Sequence, residues 1–390
     1  MAYTRREFGK LALAGVPAAA LIGRSESILG AFAQAKPNSR ISGVQIGAIT
    51  YSYRSMPDQS GEATLKYLLD SGLSACELMD GPAEAFAGRP ASPGRGGGAG
   101  FGGGRGPGGR GPAAPLEPGP GQKIAEWQGQ QCLVSTETGA PVPPQRGGGG
   151  LGRGGRGQQQ TPEQIAEQQE AAKKLKEWRT SVSMDRFKQL RKMYNDAGVT
   201  IYAYKTDGMQ KNMQTSDEEL DYMFNVAAVL GASHTTMELP AGADAEAMLK
   251  RMSAFAKKHK VAIAYHTHLQ GSMTAFDQAF AVSKWSMSNV DLGHWVAGGN
   301  QGGSPIDFLT KYHGRTASFH IKDRTTPEHC ALTVPWGTGE VPLPQILQLV
   351  KKKKWKIPAS IELEYPVPED SDAVAEVKKC VDYCRKVLAT

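Results

Sequence analysis

Apolar residues in this chain gather into short runs, and most of the runs end on polar groups. Eight of them, at 44–51, 75–79, 200–204, 234–239, 261–266, 289–292, 317–321 and 359–364, have the length and composition of strands. Between them apolar positions recur at helical spacing over 64–71, 164–197, 217–230, 243–259, 275–287, 304–312 and 343–353, and a last such stretch, 372–388, follows the eighth run. The 164–197 stretch is long for one helix, and a break is expected at Ser181-Val-Ser183. Strands alternating with helices predict a parallel sheet wrapped by helices. Eight of them predict a closed (β/α)8 TIM barrel rather than a doubly wound sheet.

One stretch breaks the alternation. Residues 88–157 hold 25 of the 47 glycines, many prolines, and arginines set in glycine runs such as Gly152-Arg-Gly-Gly-Arg-Gly157. That composition buries too little apolar surface to offset ordering entropy, so a disordered low-complexity insertion is expected over 88–160, in the loop after the second strand. Arg-Gly segments bind RNA where aromatic rings are interleaved. Only Phe101 and Trp127 serve here, and no nucleic-acid partner is expected.

The chain opens with Thr4-Arg5-Arg6-Glu7-Phe8-Gly9-Lys10, an apolar segment over 11–22 and a small-x-small site at Ala33-Gln34-Ala35. The apolar segment is too short to span a bilayer. This pattern resembles a twin-arginine export signal over residues 1–35, which implies export of a folded protein to the periplasm or beyond. A single domain over 36–390, interrupted by the insertion and without stable membrane insertion, is the resulting expectation. Of the formal charge of +7, residues 1–35 carry two and residues 88–157 carry five, so the folded body is neutral and no polyanionic partner is implied. Five cysteines are too few and too scattered for a disulfide framework, and Cys380 and Cys384, one helical turn apart, read as packing.

Candidate chemistry sits where barrels keep it, at the C-terminal ends of the strands. The fourth strand ends in Glu238 and the fifth in Tyr265-His266-Thr267-His268, with His266 and His268 on one face. The sixth ends in Asp291-Leu-Gly-His294, the seventh in His320-Ile-Lys322-Asp323 and the eighth in Glu362-Leu-Glu364. Oxygen and nitrogen donors converging from several strand ends suit one divalent cation such as Mn, Co, Zn or Mg, with Glu238, His266, Asp291, His320 and Glu362 as candidate ligands. His268, Lys322 and Glu362 are candidate catalytic groups: His268 to move a proton, Lys322 to neutralise an oxyanion or to pair structurally. Glu77, closing the second strand, reads either as a contact for a substrate hydroxyl or as a cap.

Tyr265-His-Thr-His268, Asp291-x-Gly-His294, His320-Ile-Lys-Asp323, Trp336-Gly-x-Gly-Glu340 and Ile361-Glu-Leu-Glu364 together resemble the xylose-isomerase-like barrels, the sugar phosphate isomerases/epimerases, over about residues 41–386. The resemblance implies a metal held by Asp291, His320 and Glu362, with His294 on the substrate side and Glu364 as a second-ranked carboxylate there. Where epimerases of this kind carry a glutamate on the fifth strand, this chain has His266, leaving the fourth ligand to His266 or Glu238. A histidine there is more like the dehydratase branch. The expected activity is proton abstraction next to a carbonyl of a small carbohydrate, giving isomerisation or epimerisation. Elimination by a dehydratase and a non-catalytic carbohydrate-binding barrel are the alternatives.

Overall fold

The computed structural model describes residues 36–91, 116–127, 129–136, 161–211 and 213–390. The export signal read over residues 1–35 therefore lies outside the described residues, as do the glycine-richest parts of the insertion. A short β1 (Arg40–Ile41) pairs antiparallel with β2 (Val44–Ile49) and leads into the barrel. β3 (Ala75–Met79) is followed, after a hairpin of β4 (Gln122–Trp127) and β5 (Gln130–Ser135), by β6 (Thr200–Lys205), β7 (His234–Glu238), β8 (Ala262–His266), β9 (Ser286–Asp291) and β10 (Thr316–Ile321). Two short segments, β11 (Asp323–Arg324) and β12 (Thr333–Val334), precede β13 (Ala359–Ile361). The ring runs β2-β13-β10-β9-β8-β7-β6-β3 with every neighbour parallel, and the β2–β3 pairing closes it.

Helices connect the strands: α1 (Gly61–Asp70), α2 (Asp80–Ala87), α3 (Pro162–Ser181), α4 (Asp185–Asp196), α5 (Asp217–Leu230), α6 (Ala245–His259), α7 (Asp277–Val282), α8 (Leu292–Ala297), α9 (Pro305–Tyr312), α10 (Leu343–Lys353) and α11 (Ala373–Ala389). The expected break between 164 and 197 falls at 182–184. The helix expected over 275–287 is shorter, because Ser286 and Met287 belong to β9. Their period-two burial on a sheet outweighs helical spacing there. Alternation divides each strand: Val290, Phe319 and Ile321 pack outward under the helices, while Asn289, Asp291, Ser318 and His320 point inward. No helix among the described residues is long and apolar enough to cross a membrane.

The insertion departs from expectation. Part of the stretch read as disordered folds as the β4–β5 hairpin, whose Ala125 and Val134 pack against Cys330. Cys132 and Cys330 form a disulfide across 198 residues. The Trp127 ring lies 4.7 Å from that of His329. Composition alone does not order such a segment, but a covalent tether removes much of the freedom it would have to lose. Cys380 and Cys384 are buried and unbridged, as packing residues.

Candidate functional site

Polar residues two positions apart stack down the inner faces of the strands. His234, Thr236 and Glu238 share one face of β7, Asn289 and Asp291 one face of β9, and Ser318 and His320 one face of β10 that Lys322 continues. At the C-terminal end of the barrel, ligand-type atoms of His266, Asp291, His320 and Glu362 all lie within 4.8 Å of one another, and all four residues are buried. A second such group, Glu238, His266 and His268, rises toward the rim. Glu238 thus stands apart from the buried four, with its Oε2 3.0 Å from His268 Nδ1.

Each buried imidazole is aimed by a partner. His266 Nδ1 lies 2.9 Å from Asn289 Oδ1, and the Asn289 amide donates to Ser318 Oγ at 2.6 Å. This network assigns the Nδ1–H tautomer and turns His266 Nε2 toward Asp291 Oδ2, 4.0 Å away. Burial, reinforced by the Lys205 and His320 cations, lowers His266 to about 3, so it is a neutral donor at pH 7.

His320 is held from both sides. Its Nε2 lies 2.9 Å from Glu77 Oε2, and its Nδ1 lies 3.0 Å from Glu362 Oε2 and 3.9 Å from Asp291 Oδ2. Burial opposes a charged ring, but Glu77 and Glu362 outweigh it and raise His320 to about 10. Burial likewise pushes Glu77 up, and the facing His320 overrides it, leaving Glu77 at about 2. Thr236 Oγ1 donates to the other Glu77 oxygen at 2.7 Å. With both oxygens engaged and no exposed surface, Glu77 positions His320 instead of meeting a substrate hydroxyl.

Asp291 serves two neighbours. Its Oδ1 accepts the His294 backbone N–H at 2.7 Å and so caps α8. Its Oδ2 is buried without a hydrogen bond, although the Lys322 ammonium approaches to 2.9 Å as an ion pair. Burial raises Asp291 above its ordinary value, with the Lys322 ammonium drawing it back down. Burial also pushes Glu362 up, and Lys322 and His320 hold it well below the usual carboxylate range. Lys322 Nζ lies 2.8 Å from Glu362 Oε2 and 2.5 Å from Glu364 Oε2. Its partner is not Asp323, which instead accepts the backbone N–H groups of Gly337, Gly339 and Val341 and ties down the Trp336–Glu340 loop.

The floor of the site is closed and its rim is open. The His268 side chain keeps 50% of its exposure and Glu238 35%, against 2% or less for His266, Asp291 and His320. His294 sits between, with Nε2 3.8 Å from Glu364 Oε2 and Nδ1 2.5 Å from Arg324 Nη1. Burial and the Lys322 and Arg324 cations push its proton affinity far down, so the ring is neutral. Arg324 also donates to the carbonyl of Ala331, beside the disulfide.

Two imidazoles and two carboxylates, with Asp291 Oδ2 lacking a hydrogen bond and His266 Nε2 turned inward, fit a divalent cation. Asn289, Thr236, Ser318 and Arg324 carry supporting roles that the strand-end motifs did not single out. For Asn289, Thr236 and Ser318 the available signal was a polar residue two positions before a strand-end candidate, on the same inward face. Arg324 lies beyond β10, in β11, and had no such signal.

A family model described as "Xylose isomerase-like TIM barrel" matches residues 165–386. No curated protein matches the chain. Among solved structures, a candidate xylose isomerase from Rhodospirillum rubrum is 11% identical, with 88% of this chain and 98% of that one covered and a TM-score of 0.51. A sugar phosphate isomerase/epimerase from Parabacteroides distasonis is 15% identical, with 89% and 96% covered and a TM-score of 0.47. A candidate 3-DHS dehydratase of petrobactin synthesis from Bacillus anthracis, AsbF, is 12% identical, with 86% and 98% covered and a TM-score of 0.49.

Proposed function

Since the chain belongs to the xylose isomerase-like TIM barrel family, we propose that it is an enzyme that removes a proton next to the carbonyl of a sugar or keto-sugar. The products are those of isomerisation or epimerisation. One divalent cation is held by His266, Asp291, His320 and Glu362, and the convergence of those four buried donors is the observation that carries the reading. When bound, the ion supplies Lewis-acid stabilisation of the charge that develops on the carbonyl oxygen.

The chain's own groups do the rest. The hydrogen bond that His268 donates to Glu238 raises its proton affinity against the opposing effect of burial. With Nδ1 engaged, His268 offers Nε2 at the mouth to accept the α-proton. Arg324 donates to His294 Nδ1, so His294 presents Nε2–H to a substrate hydroxyl. Glu77 and Asn289 fix the two ligand imidazoles. Lys322 neutralises negative charge beside Glu362 and Glu364.

Elimination is the second reading, favoured by His266. Among the four donors the carboxylates are Asp291 and Glu362, and Asp291 is committed to capping α8. That leaves Glu362 without a second free carboxylate on the opposite face, as a two-glutamate epimerisation requires.

Incubation with a panel of free and 3-keto sugars in deuterated water tests both. Deuterium at the carbon beside the carbonyl supports proton abstraction, and loss of the neighbouring hydroxyl selects elimination. Absence of both exchange and bound metal would leave a carbohydrate-binding barrel without catalysis. We propose also that the protein is exported by the twin-arginine route, which makes unphosphorylated sugars the relevant class. The Cys132–Cys330 bridge supports this, because disulfides persist in oxidising compartments. Cell fractionation after replacing Arg5 and Arg6 by lysine tests it: retention in the cytoplasm is expected.

A further inference from the structure

A fully buried lysine is uncommon, and Lys322 is one of the largest fully buried side chains of this protein. Its ammonium lies 2.9 Å from Asp291 Oδ2 and 2.8 Å from Glu362 Oε2. These are the oxygens that face the imidazoles, at 4.0 Å from His266 Nε2 and 3.0 Å from His320 Nδ1. A divalent ion bound by the same oxygens would sit about 2.0–2.2 Å from each. An ammonium and a divalent ion drawn to the same two oxygens repel each other strongly at such separations. We infer that Lys322 is a built-in counter-cation that holds the metal position in the metal-free protein and gives way when the ion enters. This rests on the reading of the four-donor group as a divalent-cation site.

The lysine's course is prepared by its neighbours. A Cβ on Gly293 would come within 2.4 Å of Lys322 Cγ and 3.0 Å of its backbone oxygen. The glycine of Asp291-Leu-Gly-His294 is therefore the space through which the lysine stem reaches the site. The third oxygen around the ammonium, Glu364 Oε2 at 2.5 Å, lies outside the four-donor group and on a side chain with 27% exposure. A lysine that loses Asp291 and Glu362 to an ion keeps Glu364, and a flexible stem lets its charge pivot toward the mouth. In its undisplaced position the lysine neutralises the buried carboxylates before any ion arrives.

Calorimetric titration of the metal-stripped full chain with Mn(II) or Zn(II) alone tests this, comparing wild type with Lys322→Met. Removing the competing charge is expected to tighten binding by at least about tenfold. Thermal unfolding gives a second readout that does not depend on calorimetric heats. Without metal Lys322→Met should unfold at lower temperature than wild type, and saturating metal should raise its midpoint more than that of wild type. If Lys322→Met proves too unstable to titrate, Glu364→Gln serves: it removes the displaced lysine's remaining partner and should weaken metal binding. Equal or weaker affinity in Lys322→Met, with wild type binding measurably, would overturn the inference and leave the metal site standing. Absence of binding by wild type and both variants would overturn the metal site itself, and the inference with it.

Discussion

Two buried cations in this protein each face three carboxylates, and they are built for opposite ends. Arg179 on α3 grips Glu84 with a two-pronged contact, Nε to Oε1 at 2.8 Å and Nη2 to Oε2 at 3.2 Å, with Asp80 and Glu219 at 3.8 and 3.7 Å. Arg89 adds a second cation 3.0 Å from Glu84. Lys322 instead touches Asp291, Glu362 and Glu364 with one point charge at nearly equal distances. A planar guanidinium commits to one carboxylate geometry, whereas an ammonium on a four-carbon stem can trade partners. The first arrangement clasps α2 to α3 and α5. The second sets its cation on carboxylates that also face His266 and His320, and suits exchange. Similar charge arithmetic does not imply a similar role; donor geometry and neighbours decide it.

The largest expected effect breaks the clasp. Arg179→Met strands Glu84 and Asp80 in the interior with Arg89 as their nearest cation, and should cost about 3–5 kcal/mol of stability. Denaturant unfolding measures the loss, and the variant's folded fraction should bind metal as wild type does. A loss below about 1 kcal/mol would mean that α3 is not held by this pair.

Glu362→Gln sharpens the contrast from the other side. It removes a candidate ligand, and proton exchange on an active substrate should fall by about 10²–10⁴-fold. Lys322 retains Asp291 and Glu364, so unfolding should change far less than in Arg179→Met. A variant that unfolds as readily as Arg179→Met would make the two clusters alike after all.

Next in size is Asn289→Ala, which touches no substrate and no ligand oxygen. It removes the nearer acceptor at His266 Nδ1, 2.9 Å away, and leaves the ring only the backbone carbonyl of residue 289, at 3.2 Å. Metal affinity should fall by about 10–100-fold, read by competition with a chromogenic chelator. Unchanged affinity would mean that the Asn289 side chain does not position a ligand at this site.

The barrel and its strand-end residues were legible in the sequence because both follow period-two alternation. Asp291, His320 and Glu362 terminate apolar runs, and a parallel barrel brings such ends to one face whatever the loops do. Less legible was the depth of each group. Glu77 and Glu238 both read in sequence as closing strands, yet Glu77 lies inside β3 as an anchor below His320 and Glu238 ends β7 as a rim partner of His268. The difference lies in what is placed opposite each: His320 of β10, across the barrel from β3, for Glu77, and His268, just past the neighbouring β8, for Glu238. Glu362 and Glu364 lie past the end of β13, so their meeting at Lys322 depends on a loop that alternation does not govern. The Cys132–Cys330 bridge was hidden for a related reason: 198 residues separate its cysteines, and composition argued for disorder on one side.

The smallest expected effect concerns Asp80, where the clasp carries one more acid than its arginines balance closely. Burial first, then the carboxylates of Glu84 and Asp207, raise Asp80 from 3.8 to about 7, and Arg179 at 3.8 Å returns only part. A carboxyl whose folded pKa lies above its unfolded one binds its proton more tightly in the folded state. Its contribution to stability is therefore complete below pH 4 and is lost as pH rises through 7. Asp80→Asn removes that slope. The variant should gain on wild type between pH 4 and 7, with the difference flat outside that window. Urea unfolding midpoints at half-unit steps of pH resolve such a change. A constant difference from pH 4 to 8 would mean that Asp80 is ionised throughout. The Arg179 cluster would then be no better balanced at low pH than at high, and its claim to be a fixed clasp would rest on Glu84 alone.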